Sequence, residues 1–87
     1  MKAVITVIGK DMVGIIAKVS STLADVNVNI VEITQSVLQD YFAMIMLVDV
    51  SAMTCSLDEL RTSISEKVPG LQVSVMHEDV FESMHHI

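Results

Sequence analysis

In the N-terminal part of the chain, apolar and polar residues alternate with the periods of one strand and one helix. Residues 3–8 form a continuous run rich in β-branched side chains, typical of a buried central strand, and Gly9 ends it. After Asp11, a candidate helix N-cap, apolar residues recur at spacings of three and four, which predicts one face of an α-helix. That face consists of Ile16, Val19, Leu23 and Val26, and the other face carries Lys18, Ser21, Thr22 and Asp25.

Two runs in the middle of the chain predict an antiparallel hairpin. In residues 28–38, β-branched residues alternate with polar ones, and a Gln39-Asp40 turn leads into a second run over residues 41–50. The alternating polar residues are Glu32, Thr34 and Ser36. Because the second run is apolar on both faces, we expect helices to cover one face of the sheet and another surface to cover the second.

The C-terminal part predicts a second helix, a fourth strand and a short helical tail. Ser56 and Glu59 have the spacing of a capping box, and Pro69-Gly70 ends the helix. The apolar stripe between them is Leu57, Leu60, Ile64 and Val68. The fourth strand alternates Leu71, Val73 and Val75 with Gln72, Ser74 and Met76. In the tail, Asp79 is a second N-cap candidate with Glu82 three residues later, and one helical face carries Val80, Phe81, Met84 and Ile87.

The predicted order of elements is β-α-β-β-α-β. This order is the ferredoxin-like α+β plan, a four-stranded antiparallel sheet with two helices on one face, here with a short C-terminal helical tail. We assign residues 1–79 to the domain and residues 80–87 to the tail, which packs on the domain or on its dimer mate. Apolar residues remain on the second face, so we expect that face or a sheet edge to meet a second copy.

Composition excludes several classes of function. The 87 residues carry 5 basic and 11 acidic side chains, a net charge of −6, and 3% aromatics, which disfavours nucleic-acid binding. The one cysteine forms neither an internal disulfide nor a four-ligand zinc site. The longest apolar run, residues 41–48, is too short to span a bilayer, and the N-terminal run is too short for a signal peptide. We therefore expect no membrane partner and a cytoplasmic location.

Catalytic chemistry and bound metals are also disfavoured. The first loop holds no cysteine pair for metal delivery, and Arg61, the one arginine, does not lie in that loop to hold a phosphate. We see no paired acid and base, nucleophile triad or cofactor loop, so we expect no catalytic residues and no cofactor. A metal cluster is an alternative interpretation of the histidines near the acidic residues of the tail, which are His77, His85 and His86. Because these histidines lack a fixed scaffold, we expect no metal site.

The first loop and the second strand resemble the ACT domain, a small-molecule-sensing module attached to many enzymes of amino-acid metabolism. The segment GKDMVGII over residues 9–16 is similar to the family's G-x-D-x-x-G-[IL] turn, and Asn29-Ile30 to its strand opening. The resemblance covers residues 1 to about 79. The segments over residues 39–51 and 77–87 also resemble small stand-alone bacterial ACT proteins, which are similar to the ACT domains of the glycine-cleavage repressor.

The resemblance implies a ligand site made by two subunits, because in similar ACT dimers the strand-opening Asn of one subunit faces the first loop of the other. The implied ligand-binding residues are Lys10, Asp11, Met12, Val13, Gly14, Ile15, Asn29 and Ile30. Gly14 would leave backbone N–H groups open to a ligand carboxylate, or it only lets the loop pack against a strand. Asp11 would accept from a ligand ammonium or cap the helix, and Lys10 would pair with a carboxylate or remain solvated. Asn29 would read an amino acid's backbone groups or serve as a turn residue.

We therefore expect a non-enzymatic regulatory module. It would form a homodimer, bind a small ligand, most simply an amino acid, between subunits, and signal to an effector protein that the sequence does not name. The alternative is a protein–protein interaction domain without a ligand, which would use its acidic surface and the apolar sheet face. Cys55 is interpreted as a small apolar filler, and the seven methionines as an adaptable packing surface.

Overall fold

The predicted ferredoxin-like fold is confirmed, with all four strands in one antiparallel sheet. The computed structural model describes residues 1–10 and 13–84. Its elements are β1 (Lys2–Lys10), α1 (Ile15–Asp25), β2 (Asn29–Leu38), β3 (Tyr41–Asp49), α2 (Leu57–Lys67), β4 (Gln72–His77) and α3 (Glu78–Met84). The strand order is β2-β3-β1-β4, so the N-terminal strand is central and β2 and β4 are the edges.

The core lies between one face of the sheet and the two long helices. Alternate residues of the central strands point into it, and α1 and α2 contact each other above them. The strand residues are Ala3, Ile5 and Val7 from β1 and Phe42, Met44, Met46 and Val48 from β3. The helix residues are Ile15, Val19, Leu23, Leu60 and Ile64. The strands and helices that the apolar periodicity predicted therefore pack around one core.

Strand β1 is longer than its sequence pattern predicts. We expected Gly9 to end the strand, but pairing with β3 continues through Gly9 to Lys10, which lies opposite Tyr41. A Cβ atom at Gly9 would collide with the side chain of Leu71. Glycine at this position therefore permits close packing beside the strand and does not terminate it.

Helix α1 differs from its prediction at both its start and its buried face. The N-cap is Gly14 and not Asp11, which lies outside the described residues. Thr22, predicted on the polar face, is 4% exposed, and its hydroxyl donates to the Lys18 carbonyl oxygen at 2.9 Å. Ile16, predicted on the apolar face, lies partly in solvent. An internal hydrogen bond thus allows a polar residue to face the core.

Strand β2 and the hairpin follow the prediction closely. The strand pairs only with β3 within the described residues, and each of its residues is exposed. A register shift between Ile30 and Glu32 marks a bulge near its start. The Gln39-Asp40 turn closes the hairpin, with Gln39 at φ 56. The molecule therefore presents a ten-residue edge strand to its surroundings.

The second helix begins as predicted, whereas the third does not. The Ser56 hydroxyl accepts from the Glu59 N–H at 3.1 Å, and the Glu59 carboxylate accepts from the Ser56 N–H at 3.1 Å, which confirms the capping box. Asp79, predicted as an N-cap, lies inside α3. Its N–H donates instead to Nδ1 of His77 at 3.1 Å, so the imidazole takes the capping position.

Candidate functional site

The described residues of the first loop leave a helix start open to solvent. Lys10 is exposed at the end of β1, and the side chain of Val13 is 96% exposed. Gly14 adopts the left-handed conformation, φ 81 and ψ 13, with no side-chain cap among the residues described. Ile15 is buried, so its side chain belongs to the core and only its backbone is available to a ligand. Asp11 and Met12 lie outside the described residues.

Asn29 and Ile30, the other half of the predicted site, open strand β2. Asn29 is exposed and lies opposite Asp49, while Ile30 lies opposite Val48. The Asp49 carboxylate accepts from the Ser51 N–H at 2.8 Å. Hydrogen bonding by Ser51, from its side chain and then its backbone, lowers the pKa of Asp49 below its usual value. An ionised carboxylate therefore stands beside Asn29, a neighbour that the sequence pattern did not indicate.

Within one chain, the two halves of the predicted site lie at opposite ends of the sheet. Asn29 is in the row of Asp49 and Lys2, whereas the first loop leaves the sheet from the row of Tyr41 and Lys10. The eight residue steps from Lys2 to Lys10 span about 26 Å, at roughly 3.3 Å per residue. No single ligand of amino-acid size reaches both from one chain.

The structure also contains a cleft that the sequence analysis did not find. Helix α3 lies on the sheet face opposite α1 and α2, and a cleft of about 250 Å³ separates it from β2 and β3. The lining residues are Val4, Glu32, Thr34, Ile45, Leu47, Glu78, Phe81 and Glu82. The apolar stripe of the tail predicted that this segment packs on the domain or on its dimer mate. Phe81 lines the cleft, Val80 and Met84 are exposed, and Ile87 lies outside the described residues.

The remaining candidate groups are dispersed. Cys55 is half-buried, and burial, with a smaller contribution from the charge of Glu59, raises the pKa of its thiol. His77 faces Asp79 at the start of α3, while His85 and His86 lie outside the described residues. Over residues 1–10 and 13–84, no group of three potential metal ligands occurs, and no helix is long and apolar enough to cross a membrane.

Comparison with known families assigns the sheet and its two long helices to a protein family. The family model of the ACT domain matches residues 2–78. The chain belongs to the ACT domain family. ACT domains of this kind are regulatory modules that bind small ligands. The matched segment ends at the first residue of α3, so most of the helix that roofs the cleft lies beyond it.

Individual relatives agree with this assignment. The ACT domain chain is 48% identical over 89 residues to a UPF0237 protein of Clostridium acetobutylicum, with 100% of both chains covered. A solved ACT domain protein from Streptococcus pneumoniae is 35% identical, with a TM-score of 0.76 and 94% of both chains covered. A putative glycine cleavage system transcriptional repressor is 16% identical, with a TM-score of 0.69 over 85% of this chain and 44% of the other. At that identity the repressor shows a shared fold alone.

Proposed function

We propose that this ACT domain is a non-enzymatic sensor that forms a homodimer and binds an amino acid between its subunits. The observation that carries the proposal is the separation of Asn29 from the first loop by the length of the sheet. If both regions bind one ligand, a second copy must supply one of them. Occupancy of the site would then be linked to the arrangement of the dimer.

The exposed edge strand offers a route to such a dimer. β2 is a long edge strand with its outer side uncovered in the described chain, and it exposes Ile30, Ile33 and Val37 on the helix side of the sheet. A long apolar edge of this kind tends to pair with another strand. Antiparallel pairing of β2 with its copy about a two-fold axis would put the Asn29 end of one subunit beside the Leu38 end of the other. The first loop lies at that same end of the sheet.

The groups at this junction suit an amino acid. Backbone N–H groups at the start of α1, next to Gly14, stand at the positive end of the helix dipole and would bind the ligand carboxylate, aided by Lys10. Asp11 would accept from the ligand ammonium. The Asn29 amide of the other subunit both donates and accepts, and would close the site over the ligand backbone. The exposed side chains of Val13 and Ile30 would contact the ligand's apolar atoms.

Thermal unfolding against each of the twenty amino acids tests the proposal. A ligand present at about 100 times its dissociation constant adds about 2.7 kcal/mol to the folded state, which is a rise of several degrees in Tm for a domain of this size. We expect a rise with one or a few amino acids, its loss in Asn29→Ala, and its retention in Gln72→Ala, a matched amide on the opposite edge. A response unchanged in Asn29→Ala would refute the predicted site.

Sedimentation equilibrium tests the dimer separately. We expect a dimer whose dissociation constant falls when the active amino acid is added. Ile33→Lys, on the exposed edge, should weaken the dimer, whereas Val80→Lys, at another exposed aliphatic position on α3, should not. A dimer that is indifferent to every amino acid would contradict the proposed linkage.

A ligand-free interaction domain is the second candidate, and one surface favours it. Leu38 and Tyr41 lie opposite each other beside the hairpin turn, with exposures of 74% and 58%. Apolar side chains this exposed are common in protein contacts. Absence of any amino-acid response, together with loss of an effector's co-purification on Leu38→Asp, would establish this alternative in place of the sensor.

A further inference from the structure

The cleft beneath α3 has an apolar floor that is enclosed by two different parts of the chain. Val4, Ile45 and Leu47 point from the sheet, and Phe81 faces them from α3. Val4 is only 4% exposed although it lies on the face away from the long helices, because α3 covers that part of β1. The cleft therefore shelters aliphatic surface on a face of the sheet that would otherwise be open to water.

Three carboxylates flank this floor from opposite sides. Glu32 stands on β2, and Glu78 and Glu82 stand on α3. No basic side chain lines the cleft, and within the described residues no ion pair involves any of the three glutamates. In the whole chain acidic residues outnumber basic ones by 11 to 5. A ligand here meets apolar contact in the middle and negative charge at the rim.

We propose that this cleft binds an aliphatic diamine that lacks a carboxylate. Its alkyl chain would lie on Val4, Ile45 and Leu47 beneath Phe81, and its ammonium groups would approach the glutamates on the two walls. Burial of the alkyl chain and charge complementarity favour the same molecule. A free amino acid carries a carboxylate that the same glutamates repel. The cleft therefore selects a ligand class different from that of the proposed subunit site.

Two closely matched probes test the proposal on the whole chain. 1,5-Diaminopentane is lysine without its carboxylate, and 1-pentanol has the same alkyl chain without charge. In a titration followed by NMR, we expect 1,5-diaminopentane to shift the signals of Val4, Ile45 and Leu47. Lysine and 1-pentanol should bind at least about ten-fold more weakly. Equal binding of lysine, or shifts that do not centre on these residues, would overturn the proposal.

Variants of the two walls separate a built site from general attraction to an acidic protein. Glu32→Gln and Glu82→Gln are exposed changes on different elements, and each should weaken binding of 1,5-diaminopentane by about two- to five-fold, the double variant by about ten-fold. Glu66→Gln removes the same charge from the exposed side of α2 and should leave binding unchanged. Equal weakening by Glu66→Gln would refute the site.

Two further variants make the result specific to the cleft. Phe81→Ala removes the roof without altering charge, and it should weaken binding of 1,5-diaminopentane while circular dichroism shows that the fold is retained. Asn29→Ala should leave this binding intact, since Asn29 does not line the cleft. If Asn29→Ala abolished it, the amine would be occupying the proposed subunit site and the cleft proposal would be wrong.

Discussion

Replacement of Gly14 by alanine would measure how much the start of α1 depends on a left-handed residue. Gly14 has φ 81, and among the described residues, its two chain neighbours aside, no atom lies within 4 Å of the position that a Cβ would occupy. The expected loss is therefore the conformational energy of an L-residue in this region, roughly 1–2 kcal/mol. For a domain of this size, each kcal/mol lowers Tm by about 4–8 °C.

Urea denaturation followed by circular dichroism, at one protein concentration throughout, is the appropriate assay. Fixed concentration matters because a dimer's apparent stability changes with concentration. Gly70→Ala provides a matched control, because Gly70 has φ 90 and equally open space around its Cβ position, and it should lose a similar amount. Gly14→Asn should lose clearly less than Gly14→Ala, since asparagine tolerates the left-handed region and is a good N-cap residue.

The relative stabilities of these variants test the conformational explanation. If Gly14→Ala were as stable as the parent chain, the left-handed N-cap would have no energetic importance. If Gly14→Asn were the less stable of the two, the loss would come from side-chain volume. Either result would refute the conformational explanation.

Three further predictions concern single side chains. Ser56→Ala removes the acceptor of the Glu59 N–H and should lower the free energy of unfolding by about 1 kcal/mol in urea denaturation; an unchanged value would contradict the capping box's role. Ile64→Ala empties a fully buried position and should lose about 2–5 kcal/mol; a loss below 1 kcal/mol would show a core that collapses around the gap. Burial raises the pKa of the Cys55 thiol in the folded protein above its value in the unfolded chain. The stability contributed by the neutral thiol is therefore fully present below the unfolded pKa, and it is lost as pH rises through the folded pKa. Iodoacetamide should therefore react more slowly with the folded protein than with the urea-unfolded chain near pH 9, and equal rates would contradict this.

Local signals in the sequence were sufficient for the elements that depend on neighbouring residues. The capping box of α2 and the Gln39-Asp40 hairpin each involve residues a few positions apart, and both are as predicted. Apolar periodicity also identified the buried positions of α2, whereas the run of β3 is apolar on both faces and did not distinguish them. These agreements reflect burial and hydrogen bonding acting in the same direction as the local preference.

The errors occurred where a particular side-chain hydrogen bond or a tertiary contact decides the outcome. Thr22 faces the core because its hydroxyl bonds to the Lys18 carbonyl, which a polarity pattern does not reveal. His77 is the last residue of β4 and directly precedes α3. Its ring nitrogen Nδ1 therefore accepts from the Asp79 N–H and caps the helix in place of the Asp79 side chain. The cleft under α3 depends on where the tail lies against β1, and no spacing of residues encodes that position.

Because β1 pairs with β4, the chain enters and leaves the sheet on neighbouring strands. Ala3 lies directly opposite His77, although 73 positions separate them in the sequence. A unit whose entry and exit are adjacent can be inserted into a loop of a larger protein with little displacement of the host chain. The same fold spans 44% of the putative transcriptional repressor. The geometry of β1 and β4 thus suits this fold to combination with other domains.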